Sequence, residues 1–213
     1  RFHPTRGFHS VPSSIVPPEV VDTKESVVED TIRLVKKYHD RSRFSMCQVG
    51  IAPSIAQYET EDIIEAVVDL AEEYDIMVHG HLAESQHEVE YALKPWGCRP
   101  FEWFKRHRLL GKRFYFAHCI HLNEEEIAQM AETGTGVAHC PISNMLLSSG
   151  ACPVPSYLEH GLTRIGLGVD GAASSNSSNM LEEIRCAYLL NRLTWGDKAA
   201  TPDDYLYMAT AGG

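Results

Sequence analysis

The sequence has no C-x-x-C pair, no Gly-rich phosphate turn, no apolar run near the length of a membrane span and no surplus of basic residues. Each absence closes a class. The six cysteines (Cys47, Cys98, Cys119, Cys140, Cys152 and Cys186) are widely spaced. That suits neither a disulfide framework nor a zinc ribbon, so reduced thiols in a cytoplasmic protein are expected. A membrane helix needs about 20 consecutive apolar residues, and no segment approaches this; no signal-peptide pattern opens the chain. Nineteen Lys and Arg against 29 Asp and Glu leave a net charge of −10. No basic stripe is available to neutralise phosphates, which argues against a nucleic-acid partner.

What is present is an ordinary globular balance, 44% hydrophobic and 23% charged, with eleven histidines among 213 residues. From about Val20 onward, short apolar runs alternate with amphipathic helical patterns. A helix is predicted over Ser26 to His39, with Ser26 and Glu29 as a capping box. "MCQVGIAP" reads as a strand, and "TEDIIEAVVDLAEEY" as a helix capped by Thr60. The strand "IMVHG", helical material from Gln86 to Leu110 and the strand "RFYFAHC" follow. Then come a helix capped by Asn123, the strand "GVAHC", the short helix "VPSYLEHG" and the strand "RIGLGVD". A last helix begins after Asn179, with Glu182 completing its capping box. Together with an earlier strand ending at "RFH", this makes six strands joined by helical crossovers, a parallel α/β unit.

An open doubly wound sheet would carry a Gly-rich turn after its first strand. Here, instead, ionisable residues end four different strands: His79 and His81, His118, His139, and Asp170. Catalytic groups distributed over strand ends are the mark of a (β/α)8 TIM barrel, and 213 residues are short for a complete one.

His79 and His81 stand two apart on a strand and so face the same way; neutral imidazole is a common zinc ligand. Glu84 lies close enough to pass a proton to something bound at His81. The same residues also suit an ordinary strand rim, with Glu84 as the first acid of a helix. His118 and His139 occupy two A-H-C junctions 21 residues apart, with Ser143 and Asn144 read as turn chemistry. Asp170 ends an apolar strand. A hairpin turn there lacks a following strand, and a carboxylate aimed into a barrel mouth needs a compensating cation.

With these junctions in place, the sequence resembles the amidohydrolase superfamily. Within it the likeness is to the metal-dependent deaminase branch of guanine, cytosine, 8-oxoguanine and isoxanthopterin deaminases and triazine hydrolases, nearest the 8-oxoguanine deaminases. "HGHLAES", "AHCIHL", "GTGVAHCPISNMLL" and "LGVDGAASSNSSNM" carry the resemblance in order, and "RFHPTRG", "YHD", "GCRP" and "SSGACPV" extend it. It implies a partial TIM barrel, about strands three to eight, with residues 1–213 forming one incomplete domain without its N-terminal strands and flanking β-sandwich. It implies one divalent metal, zinc ahead of iron, with His81 and Asp170 as ligands. Asp170 would also take a proton from the hydrolytic water, Glu84 would protonate a substrate ring nitrogen, and His118 would oppose the developing charge. Ser54, His79 and His139 are substrate-lining candidates. Ser54 stands where purine-type members often carry His or Cys.

The implied reaction is hydrolytic deamination of a purine-like heterocycle such as 8-oxoguanine, with release of ammonia: a hydrolase of C–N bonds in cyclic amidines. A triazine chlorohydrolase or aminohydrolase is the alternative within the class. A non-catalytic fragment or pseudo-enzyme is the alternative outside it, because the H-x-H pair of the family's first strand is absent and this chain alone is expected to be inactive. The expected partner is a small heterocycle, with no membrane; assembly as a homo-oligomer is left open.

Overall fold

Six strands occur among the residues that the computed structural model describes, 2–13, 16–42 and 44–213. They are β1 (Thr5–Phe8), β2 (Gly50–Pro53), β3 (Val78–Leu82), β4 (Phe114–His118), β5 (Gly136–His139) and β6 (Ile165–Leu167). Their order in the sheet is their order in the chain, β1-β2-β3-β4-β5-β6. Register is parallel, from Thr5 opposite Gly50 to Phe8 opposite Pro53 in one pair and from Val137 opposite Ile165 to His139 opposite Leu167 in another. A doubly wound sheet reverses its order at a switch point; these strands run without reversal, as the barrel expectation requires. The first strand lies later than expected. It starts after "RFH", where Phe2 makes only an isolated bridge to Cys47, and Arg1 lies outside the described residues.

The crossovers are helical. α1 is Lys24–Tyr38, α2 Glu61–Tyr74, α3 Gln86–Trp96, α4 Pro100–Arg106, α5 Glu124–Thr133, α6 Pro141–Leu146, α7 Val154–Glu159, α8 Met180–Trp195 and α9 Pro202–Met208. Two cap expectations need correction. α1 is capped by Thr23, whose hydroxyl accepts the Ser26 N–H, because the helix starts earlier than its apolar periodicity suggests. Thr60 occupies the N-cap of α2 as expected, through its backbone and without a side-chain cap bond. Asn179 caps α8 by accepting from the Leu181 N–H, with no reciprocal box. Asn123 and Glu126 do form a complete box at α5, satisfying two otherwise orphaned N–H groups. α6 and α9 were not anticipated. α6 is a short helix opened by Pro141, whose missing N–H costs nothing at that position.

The chain divides into two compact units that interleave in sequence. The first comprises Arg1–His81, Trp103–Leu109 and Arg113–Tyr115. Its core takes the apolar stripe of α2 (Ile63, Ile64, Val67, Val68 and Ala71) together with Ile51, Ile76, Val78 and Phe104. Burial of each large aliphatic side chain contributes about 1.5–3 kcal/mol. The second unit comprises Leu82–Glu102, Leu110–Lys112 and Phe116–Gly213. Phe101, Phe116, Ile127, Met130, Tyr157 and Tyr205 fill its core. The aromatic stretches "PWGCRPFEWF" and "YLYMA" thus supply core residues.

Candidate functional site

In the first unit, β3 alternates as a half-covered strand does. Val78 and Gly80 are buried, while His79 and His81 share the opposite, half-buried face. Their ring centroids are 6.1 Å apart, so the same-face expectation holds. The two rings are held differently. His79 stacks on Tyr115 at 4.6 Å. His81 donates from Nδ1 to the carbonyl oxygen of Ser54 at 2.6 Å, and its backbone N–H donates to the same oxygen at 3.1 Å. A carbonyl only accepts, so Nδ1 carries the proton and Nε2 the lone pair, the arrangement that orients a metal-ligating imidazole. What Ser54 contributes to this geometry is its backbone.

In the second unit the chain leaves β3 through a left-handed turn, Ala83 at φ 50°. The buried Glu88 holds that turn: its carboxylate accepts the N–H of Ala83 at 3.0 Å and of Glu84 at 2.8 Å. Glu84 is thereby presented on a fixed backbone. Its Oε1 accepts the Ser149 hydroxyl at 3.2 Å, and its Oε2 lies 3.6 Å from Nε2 of His118. His118 is buried at φ 70°, and Cys119 follows at φ 48°. Two consecutive non-glycine residues in this region are strained, and such strain clusters at functional sites. His118 Nδ1 donates to Oδ1 of Asn144 at 2.8 Å. His121 Nε2 donates to the Ser149 carbonyl at 2.7 Å. Gly150 next door has φ 126°, and a Cβ there would stand 3.0 Å from the Ile120 side chain, so only glycine fits.

Asp170 ends the strand-to-loop junction after β6 at φ 59°. It is exposed rather than buried. Its carboxylate accepts from the Ser143 hydroxyl at 2.5 Å, the Gly171 N–H at 2.7 Å and the Ser174 hydroxyl at 3.1 Å. Partial desolvation works against its ionisation, but these three donors and the nearby His118 outweigh it and hold the carboxyl below its usual range. Beneath, the buried Glu183 accepts the Ile142 N–H at 3.1 Å and the Ser175 hydroxyl at 3.3 Å. It ties the start of α6 to the loop after Asp170. His139 is buried, and desolvation, with the neighbouring His118 adding to it, pushes its pKa down to about 3; the ring is neutral at physiological pH.

The second unit therefore brings Glu84 and His118 together and sets Asp170 in a web of donors. Sequence reasoning missed the residues that do the holding: Glu88, Asn144, Ser149 and Glu183. Asn144 and Ser143 were visible only as turn formers. Glu88 and Glu183 look like ordinary acids in first helical turns, and only their burial tells them apart. Among the described residues no group of three or more His, Cys, Asp or Glu side chains lies close enough to hold a metal ion, and none of their helices is long and apolar enough to cross a membrane.

A profile of the amidohydrolase family matches residues 5–213. The chain is 39% identical over 211 residues to an 8-oxoguanine deaminase of Pseudomonas aeruginosa, covering 98% of this chain and 47% of that protein. It is 34% identical over 219 residues to a hydroxydechloroatrazine ethylaminohydrolase of Pseudomonas sp. strain ADP, covering 100% of this chain and 45% of that protein. The crystal structure of an atrazine chlorohydrolase from Arthrobacter aurescens TC1 complexed with zinc superposes with a TM-score of 0.93 at 27% identity, over 100% of this chain and 48% of the other. The chain thus spans about half the length of the curated relatives it matches.

Proposed function

This chain belongs to the amidohydrolase family, and on that premise we propose that the whole protein is a metal-dependent hydrolytic deaminase of a purine-like heterocycle, 8-oxoguanine or a related base. The observation that carries the reading is the Glu84–His118 pair, 3.6 Å apart, held in the second unit by partners that both belong to the protein. The 39% identity to an 8-oxoguanine deaminase supports the substrate class.

The donor chemistry fits a divalent metal. His81 is held in the tautomer that leaves Nε2 as its lone-pair nitrogen, Asp170 is kept ionised, and a nitrogen and a carboxylate oxygen both suit zinc. The related chlorohydrolase structure contains zinc. We assign His81 and Asp170 as two ligands and place the remaining ones on an H-x-H pair outside these 213 residues. Such a metal, when bound, supplies water that ionises near neutral pH.

The chain's own residues then divide the proton work. Asp170 accepts a proton from the nucleophilic water and Glu84 delivers one to the substrate ring nitrogen. His118, buried and fixed, opposes the negative charge that builds as the amine-bearing carbon becomes tetrahedral. Asp170 then passes its proton to the departing amine, which leaves as ammonia, and the hydroxyl on the tetrahedral carbon returns a proton to Glu84 as the carbonyl forms. Ser54, His79 and His139 are assigned to the substrate pocket, and six unpaired cysteines support a cytoplasmic setting.

The full-length protein is expected to release ammonia from 8-oxoguanine and to contain about one zinc per chain. Active protein without metal by elemental analysis would overturn the metal assignment. Chloride release from a chlorotriazine, with no ammonia from any purine, would replace the substrate class.

A further inference from the structure

Asn144 is completely buried, yet its Nδ2 has no hydrogen-bond partner among the described residues. A buried amide without a partner is destabilising, so its retention calls for a reason. Its other atoms are fully engaged. Oδ1 accepts from His118 Nδ1 at 2.8 Å. Its N–H donates to the Cys140 carbonyl at 2.9 Å, and its own carbonyl accepts the Ser149 N–H at 2.9 Å. Ser149 in turn donates its hydroxyl to Glu84 at 3.2 Å. One residue therefore reaches both members of the Glu84–His118 pair, His118 through its side chain and Glu84 through its backbone and Ser149. The platform beneath it is rigid, because Glu183 pins the Ile142 N–H two residues earlier.

We propose that Asn144 is the positioning residue that sets the proton address of His118. An amide oxygen can only accept, so it fixes the proton of the neutral ring on Nδ1 and turns Nε2, as a lone-pair nitrogen, toward Glu84. A carboxylate and a lone-pair imidazole nitrogen both accept, so across 3.6 Å the proton that Glu84 delivers and recovers can rest on either, and on Nε2 it makes the ring the cation that opposes the developing charge. Any other residue at position 144 that offers no acceptor lets the ring turn to the Nε2–H tautomer, which satisfies Glu84 directly and leaves no such proton in the pair. The inference rests on the deaminase reading for its catalytic meaning but not for its geometry.

The test has two readouts on the full-length protein. Nitrogen NMR of the His118 ring in the unaltered protein reports the tautomer directly and needs no variant. Proton on Nδ1 is expected; proton on Nε2 of the neutral ring overturns the proposal. The second compares Asn144→Leu, which removes the acceptor, with Asn144→Asp, which keeps one. Asn144→Leu is expected to move the proton to Nε2 and lower kcat by about 10²-fold with KM little changed. Asn144→Asp is expected to keep Nδ1 protonated and recover most of kcat. Equal loss in both variants, or an unchanged kcat in Asn144→Leu, overturns the positioning role. If the unaltered protein turns over no purine while the NMR shows Nδ1–H, the deaminase reading fails and the placement of the proton stands.

Discussion

His81 and His118 end neighbouring strands in the sequence but are held by opposite means. His81 sits on a regular strand and is oriented by a backbone carbonyl, that of Ser54. His118 sits in a left-handed turn and is oriented by a buried side-chain amide. A backbone carbonyl survives almost any substitution at its own residue; a side-chain amide does not. The orientation of His81 is therefore robust to mutation of its partner, and that of His118 is sensitive to it.

That contrast can be broken at several points. The largest effect is expected at the pair itself: Glu84→Gln in the full-length protein should lower kcat by about 10²–10⁴-fold, measured by ammonia release, while zinc content stays unchanged. Retention of full activity would remove Glu84 from the proton path. Glu183→Ala comes next, since it leaves the Ile142 N–H and the Ser175 hydroxyl without an acceptor. A loss of about 1–3 kcal/mol is expected in urea denaturation.

His139 sharpens the comparison through pH. Burial depresses its pKa from 6.5 to about 3, so below pH 6.5 the unfolded chain takes up a proton that the folded ring refuses. Stability is then highest above pH 6.5 and falls as the pH drops toward 3. Replacing His139 by Gln, which does not titrate, should flatten that fall in the urea midpoint between pH 7 and 4. An unchanged slope would mean that other groups govern acid unfolding. The smallest effect belongs to the first unit: Ser54→Ala keeps the carbonyl and should leave the metal stoichiometry as it was. A rise in KM in that variant would show that the hydroxyl meets the substrate.

Much of this was legible because strand and helix periodicities are local. The alternation in β3 placed His79 and His81 on one face, and the stripe of α2 named its own buried residues. The Asn123 box at α5 was readable for the same reason, since both partners lie within one turn. Thr23 was missed as a cap because α1 begins before its apolar pattern does. The left-handed turn at Asp170 was not legible, because the apolar run before it says nothing of the backbone that follows. The acids Glu88 and Glu183 were illegible as supports because first-turn acids are common, and only their burial, with carboxylates on N–H groups outside their own helices, sets these two apart.

By itself the sequence determined the order of strands and helices, the strand-end placement of His81, His118, His139 and Asp170, and membership of a family with a known site chemistry. These follow from spacing along one chain. The tertiary structure decided which acceptors face Nδ1 of His81 and of His118, which acids are buried, and that Asn144 and Ser149 stand behind Glu84 and His118. Those facts depend on residues 26 to 65 positions apart meeting in space, and a directional hydrogen bond between such partners leaves no periodic trace in either segment.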